Sequence, residues 1–318
     1  MRVFHSPADV PRDLGPSVVA IGKFDGVHTG HRAVVSELRR IADERRAIAA
    51  VVTFDRHPLA LLAPAKCPPS LVGLDQKLDL LAETGVDVAL VLPFDRATAD
   101  LSPEDFVDLI LARTLHARAV LVGTDFRFGS GNAGSVDTLR ELGAAQGFDV
   151  RLVDDVTGAG GRRVSSTSIR SLLAAGDVAG AARELGRPPA VRGRVVPGAR
   201  RGRELGFPTA NLSSDSEGLI PADGVYAGWL IDGGRRYPAA VSVGNNPTFD
   251  GVPERQVEAH VLDEDLDLYG HLVDVSFVER IRGMVAYEGR EPLIEQIRAD
   301  VESTRAILGV APAPAPEA

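Results

Sequence analysis

Ten residues, Gly22-Lys23-Phe24-Asp25-Gly26-Val27-His28-Thr29-Gly30-His31, concentrate more chemistry than any other stretch of this chain. His28 and His31 are three positions apart, which puts both imidazoles on one face of a helix N-terminus. Such an end already attracts anions through its free N–H groups and its dipole. Two further donors there suit a polyphosphate whose charge grows in a transition state. Gly22 and Gly26 permit a tight turn with close backbone approach.

Three other stretches carry reactive side chains in useful patterns. In Arg163-Val164-Ser165-Ser166-Thr167-Ser168-Ile169-Arg170, hydroxyls sit between arginines ahead of an apolar-periodic helix. They read as a helix cap or, with the guanidinium groups of Arg163 and Arg170, as a second phosphate site. The run from Gly198 to Leu212 interleaves glycines with arginines and ends Phe207-Pro208-Thr209-Ala210-Asn211-Leu212. A glycine-rich cationic loop cradles phosphates, and Thr209 and Asn211 alternate onto one face of an extended segment, where their oxygens can share one Mg²⁺. Glu258 and His260 share a strand face; the carboxylate reads as a general base toward a substrate hydroxyl or as part of a solvated face.

A Walker-type P-loop needs Gly-Lys followed by Ser or Thr. The one Gly-Lys pair is followed by Phe24, so phosphoryl transfer here must use another cradle. A glycine pattern at Gly129-Ser-Gly131-Asn-Ala-Gly134, with Asp154 further on, imitates a dinucleotide fingerprint. It lies five residues beyond the end of its strand, whereas that fingerprint needs a tight strand-to-helix turn. It reads instead as a mobile loop beside a bound nucleotide.

These groups need a scaffold, and the chain alternates to provide one. Apolar runs at 17–22, 47–54, 86–92, 118–123 and 148–153 are separated by helical patterns near 31–46, 75–84, 103–115 and 135–147. That alternation implies a mainly parallel sheet covered on both faces, with ligands at the carboxyl ends of its strands. A further helical region spans 166–186, and Gly186-Arg187-Pro188-Pro189 then punctuates the chain. Beyond it, short β-like runs at 191–196, 224–231, 237–243, 257–262 and 272–277 predict a compact antiparallel barrel. Residues 291–308 return to helical periodicity, with Leu293, Ile297, Val301 and Leu308 on one face, and 311–318 reads as a disordered Ala-Pro tail.

Composition narrows the function classes. A net charge of −9 over 318 residues argues against a broad nucleic-acid surface. One cysteine, Cys67, allows neither an internal disulfide nor a cysteine-based zinc site. There is no signal-peptide core and no apolar run of membrane-spanning length, so the expected setting is the cytoplasm, with no membrane partner.

The string at 22–31 resembles the HxGH signature of the nucleotidylyltransferase superfamily. With Phe24-Asp25-Gly26 inside it, it resembles one branch, the prokaryotic bifunctional riboflavin kinase/FAD synthetases. The segment Gly123-Thr-Asp125-Phe126-Arg127-Phe128-Gly129 is similar to the same family's GxDFRFG. Residues 163–170 resemble its ISSTxIR motif, with Ser168 where arginine is common. Thr53-Phe54-Asp55-Arg56-His57-Pro58 is similar to its TFDPHP, with Arg56 in place of proline. Residues 198–212 resemble the GxxxGRxLGFPTANL of riboflavin kinases, and Ser242 to Phe249 continues that likeness.

The resemblance implies an α/β nucleotidylyltransferase-like domain with a parallel sheet at 1–186. A small antiparallel β-barrel riboflavin kinase domain with a C-terminal helix follows at 187–310. It implies that riboflavin and ATP give FMN, and that FMN and ATP then give FAD and pyrophosphate, with Mg²⁺ as cofactor. His28 and His31 would stabilise the α-phosphate region, with Gly22, Phe24, Asp25, Gly26 and Asp125 beside nucleotide and flavin. Arg163, Ser166, Thr167 and Arg170 would hold the leaving pyrophosphate. In the barrel, Gly202, Arg203, Gly206, Pro208 and Asn246 would bind ligand, Thr209 and Asn211 would hold Mg²⁺, and Glu258 would accept the riboflavin 5′-hydroxyl proton. An adenylyltransferase with a merely binding barrel, an RNA-linked adenylating protein and a dinucleotide oxidoreductase fit fewer of these residues. Oligomeric state is open at this level.

Overall fold

The computed structural model describes residues 1–153, 157, 163–198, 201–244 and 255–311. Packing divides the chain into two compact units, Met1–Ser70 with Leu74–Val164, and Leu71–Gly73 with the chain from Ser165 onward.

The first unit has six strands: β1 (Arg2–Phe4), β2 (Ser17–Ile21), β3 (Ile48–Phe54), β4 (Val88–Leu92), β5 (Ala117–Gly123) and β6 (Asp149–Val153). They form one sheet in the order β1-β4-β3-β2-β5-β6, every pair parallel. Strands β2 and β4 are buried along their whole length, as expected of Val/Ala/Leu runs covered on both faces. The covering helices are α1 (Thr29–Arg45), α2 (Pro58–Leu62), α3 (Leu74–Glu83), α4 (Arg96–Ala99), α5 (Pro103–Phe106) and α6 (Val136–Gln146). After β2 the chain builds outward to β3 and β4 on one side, and β5 then returns to the other side of β2. The carboxyl ends of β2 and β5 therefore flank the crevice where a parallel sheet receives its ligand.

Two details depart from the sequence reading. The helix predicted over 103–115 is α-helical only to Phe106 and continues as a π-helix over Val107–Thr114. Strand β1, three residues long, is too short for any periodicity to reveal.

The second unit begins with two helices, α7 (Ser166–Ala174) and α8 (Val178–Leu185), in place of one over 166–186. Gly176 at φ 77° and the Asp177 cap break the pattern. Six strands follow: β7 (Ala190–Val196), β8 (Ala210–Leu212) after the short helix α9 (Arg201–Glu204), β9 (Gly224–Asp232), β10 (Arg235–Gly244), β11 (Gln256–Val261) and β12 (Leu272–Arg282). They close an antiparallel barrel in the order β10-β11-β8-β7-β12-β9. Alternation fills it: Tyr237, Ala239, Val241 and Val243 of β10 point inward against Tyr226 and Phe277, which meet edge to face. Ile169, Leu173, Ala181 and Leu185 bury in the same core, so packing groups α7 and α8 with the barrel. The compact units therefore part between Val164 and Ser165, ahead of the expected division after Gly186.

Helix α10 (Arg290–Leu308) closes the unit. Its expected apolar face, Leu293, Ile297, Val301 and Leu308, is only half-buried, and its deepest residues are the polar Asp300 and Thr304. Arg282 of β12 explains the reversal, because its guanidinium reaches Asp300 at 2.7 Å and 2.9 Å and needs a buried carboxylate there. Residues 312–318, most of the tail expected to be disordered, lie outside the described residues.

Candidate active sites

Strand β2 ends at Ile21, and residues 22–28 turn its carboxyl end into α1. The turn uses three left-handed residues: Phe24 at φ 49°, Gly26 at φ 82° and Val27 at φ 39°. Gly26 takes that conformation freely, whereas Phe24 and Val27 are held there against their Cβ atoms. Burial does the holding, since both side chains are fully packed in the core. Thr53 of β3 adds a bond from its Oγ1 to the Lys23 carbonyl at 3.1 Å.

The turn delivers two imidazoles to one place. His28 is the N-cap of α1, and its Nδ1 accepts the His31 N–H at 3.3 Å. That bond puts the proton of the neutral ring on Nε2. The His31 ring stacks on it, with centroids 3.7 Å apart, and Phe24 tilts against His31 at 5.2 Å. Burial above all, with the nearby charges of His28, Lys23 and Lys77, holds His31 well below the usual imidazole range, so at neutral pH its ring is uncharged. Its Nδ1 is buried with no hydrogen-bond partner among the described residues. A buried polar atom left this way on a pre-formed helix N-terminus suits a ligand.

Gly22 and Asp25 lie in the same turn. Asp125 stands in the loop that follows β5, exposed, and its carboxylate meets Arg163 at 3.3 Å. His57 caps α2 through Nδ1, accepting from Leu59 N at 3.1 Å. The residues after Asp125 form a closed loop, in which Phe128 and Gly134 exchange two backbone hydrogen bonds, at 2.9 Å and 3.2 Å. Phe128 is core and Phe126 stacks on it. No strand-to-helix turn passes through this loop, which removes the structural basis of a dinucleotide fingerprint, and Asp154 lies outside the described residues.

At the start of α7, Ser165 and Ser168 form a reciprocal capping box. Ser168 also donates to Glu184 of α8. The cap thus occupies Ser165 and Ser168, and the side chains of Ser166 and Thr167 take no part in it. Arg170 follows on the first turn.

In the barrel, β8 and β11 are antiparallel neighbours with Asn211 opposite Glu258. Thr209, one turn of the pleat before Asn211, accepts from Asn211 Nδ2 at 3.2 Å and donates to Glu258 Oε2 at 3.4 Å. Three polar side chains that sequence placed on two separate segments therefore meet. A cleft of about 430 Å³ opens beside them, lined by Arg203, Pro208, Thr209 and Asn211 and by an acidic loop including Glu264 and Asp267. Glu258 is not among its walls; it reaches the cleft through Thr209. Gly202 sits where a Cβ would strike the Phe207 carbonyl, and Gly206 turns the chain at φ 87°. His260 Nδ1 donates to the Pro208 carbonyl at 2.8 Å and so fixes the segment carrying Thr209. Asn246, Arg200 and the side chain of Arg201 lie outside the described residues.

Sequence reasoning passed over two features. One is the acidic loop of the cleft, whose place beside Thr209 and Asn211 only the fold shows. The other is Lys77, one of only three lysines, on the apolar stripe of α3 between Leu74 and Leu81. A charge on that stripe was the available signal.

Residues 10–168 match the FAD synthetase family and residues 185–308 the riboflavin kinase family. The bifunctional riboflavin kinase/FMN adenylyltransferase of Escherichia coli (strain K12) is 37% identical over 311 residues, covering 98% of each chain. The protein of the same description from Bacillus subtilis (strain 168) is 33% identical over 304 residues, covering 94% of this chain and 95% of its own. A crystal structure described as a macrolide-efflux protein from Streptococcus pneumoniae shares the fold, with a TM-score of 0.85 and 32% identity over 96% of this chain and 98% of that one. No helix among the described residues here is long and apolar enough to cross a membrane.

Proposed function

The chain belongs to the bifunctional riboflavin kinase/FMN adenylyltransferase family, and from that premise we propose an ATP-dependent, two-step route from riboflavin to FAD. Residues 1–186 carry the adenylyl transfer, 187–310 the phosphorylation.

In adenylyl transfer the FMN phosphate attacks the α-phosphate of ATP, and pyrophosphate leaves. No protein nucleophile is needed, because positioning and charge stabilisation suffice. His28 donates from Nε2 to the α-phosphate region, and His31 completes the pair. Gly22, Phe24, Asp25, Gly26 and Asp125 shape the nucleotide and flavin sites. Arg163, Ser166, Thr167 and Arg170 receive the pyrophosphate. The observation that carries this reading is the stacked His28–His31 pair at a helix N-terminus, on the carboxyl end of the central strand.

In the barrel, Glu258 takes the proton of the riboflavin 5′-hydroxyl as it attacks the γ-phosphate of ATP. Gly202, Arg203, Gly206, Pro208 and Asn246 form the nucleotide cradle. The donor set of Thr209 and Asn211, a hydroxyl and a carboxamide in contact, fits a hard cation that takes few protein ligands beside phosphates. Bound there, Mg²⁺ would supply charge neutralisation to the transferring phosphate. The carboxamide nitrogen donates to both the hydroxyl and the main-chain carbonyl of Thr209, which fixes its orientation and turns Oδ1 away from Thr209. A cytoplasmic setting, where flavin and ATP are both available, completes the reading.

The test supplies the two substrates separately. Riboflavin with ATP should yield ADP, and FMN with ATP should yield FAD and pyrophosphate. His28→Ala with His31→Ala should abolish the second and spare the first; normal FAD formation by this double variant, folded, would remove the pair from the chemistry.

A further inference from the structure

Lys77 is buried to 8% exposure beneath the loop that follows β3. Its ammonium donates to the Phe54 carbonyl, the last of β3, at 2.7 Å. The carboxylates of Asp25, in the turn after β2, and Asp55, directly after β3, both act on it and favour its charged form. Asp55 is itself fixed, accepting from Phe94 N at 2.8 Å and from Arg56 at 3.0 Å. Lys77 in turn acts on His31. One cation from α3 thus stands between the two loops at the carboxyl ends of the two central strands.

Burial pulls this lysine down from its usual 10.5 to about 8, against the pull of Asp25 and Asp55. A lysine lowered on folding takes stability away while it is charged; the loss is full below about 8 and recovers as pH rises toward 10.5. At neutral pH the fold therefore keeps a buried charge that works against it. Groups kept on such terms concentrate at functional sites. A leucine or methionine would pack the same stripe of α3 with no such loss.

We propose that Lys77 is a positioning residue for adenylyl transfer, a buried ammonium that ties the Asp25 turn to the end of β3 and so sets the His28–His31 pair against the phosphate. The inference rests on the adenylyl-transfer reading of this unit. The barrel reaction of the same chain uses none of these groups and serves as an internal control.

The test measures FAD formation from FMN and ATP, and FMN formation from riboflavin and ATP, between pH 6.5 and 10 in the full chain. Three proteins are compared: wild type, Lys77→Arg and Lys77→Met. In wild type the adenylyl transfer should hold below about pH 8 and fall above it, while phosphorylation lacks that limb. Asp55 is held below the usual carboxylate range, His31 well below the usual imidazole range and Arg56 above the usual guanidinium range, so none of these charges changes near 8 and the limb reports Lys77. Lys77→Arg keeps its charge at every pH tested and should lose the limb. Lys77→Met should lower kcat for FAD formation about tenfold or more at pH 7, with KM for ATP changed less. The proposal is overturned if wild type has no alkaline limb, if Lys77→Arg keeps it, or if Lys77→Met makes FAD normally. Should Lys77→Met fail to fold, the first two profiles decide. Wild type that makes no FAD at any pH overturns the adenylyl-transfer reading as well; FAD without the limb overturns only this inference.

Discussion

His28 is expected to serve two ends at once, and two substitutions separate them. It caps α1 through Nδ1, and on the proposed reading its Nε2–H serves the α-phosphate. His28→Ala removes the cap, the stacked ring and the donor. The cap bond is long at 3.3 Å, so its loss belongs at the low end of the usual range, about 0.5–1 kcal/mol. Loss of the ring pair adds about 0.5–1.5 kcal/mol. Together these lower the melting temperature of the first unit by about 2–10 °C. His28→Asn restores a capping oxygen and should recover the first part of that loss. Alanine has no donor for the α-phosphate, and asparagine, whose side-chain oxygen is committed to the cap, is too short to bring its amide nitrogen to where Nε2 stood. Removing one such donor typically costs about 10²–10³ in rate, or 2.7–4 kcal/mol of transition-state stabilisation. The assay is FAD formation from FMN and ATP, read beside a melting curve, with phosphorylation of riboflavin as the control. Both variants should lose FAD formation alike while differing in stability. A His28→Asn protein that makes FAD near the wild-type rate would show that the imidazole is a cap and nothing more.

The barrel makes its own predictions. Glu258→Gln should lower FMN formation about a hundred- to ten-thousand-fold and leave FAD formation from supplied FMN unchanged. Raised Mg²⁺ should restore part of the rate of Asn211→Ala and none of Glu258→Gln; an equal response would make Glu258 a metal ligand. Gly202→Ala must move the loop away from the Phe207 carbonyl, and riboflavin phosphorylation should fall toward the roughly hundredfold loss that a misplacement of about 1 Å can cause. An unchanged rate would place the ATP cradle elsewhere. Asp300→Ala strands the Arg282 guanidinium and should destabilise the second unit by about 3 kcal/mol in a urea titration, whereas an unchanged midpoint would mean that water replaces the carboxylate.

The parallel sheet was legible because β2, β3, β4 and β5 are predominantly apolar runs separated by helical patterns, as strands covered on both faces require. The barrel was legible through its turn residues and alternation. What escaped has a common cause: it depends on contacts between segments far apart in sequence. The three polar residues of β8 and β11 are visible one by one, but only the antiparallel register brings Glu258 to Thr209. Lys77 stands out in the sequence only as a charge on an apolar stripe, and its partner, the Phe54 carbonyl of β3, is visible only in the fold. Asp300 looks like a surface acid until Arg282 reaches it. The glycines of 129–134 mislead for the opposite reason, since their spacing imitates a motif whose geometry the closed loop does not have.

One labelling measurement reaches the central claim, that a single chain performs both transfers in order. Riboflavin is incubated with the protein, Mg²⁺ and ATP labelled either at the γ- or at the α-phosphate, and the flavins are separated by chromatography. γ-Label should appear first in FMN and then in FAD. α-Label should appear in FAD and never in FMN, with pyrophosphate released in step with FAD. α-Label in FMN, or FMN accumulating with no FAD at any time, would contradict the account.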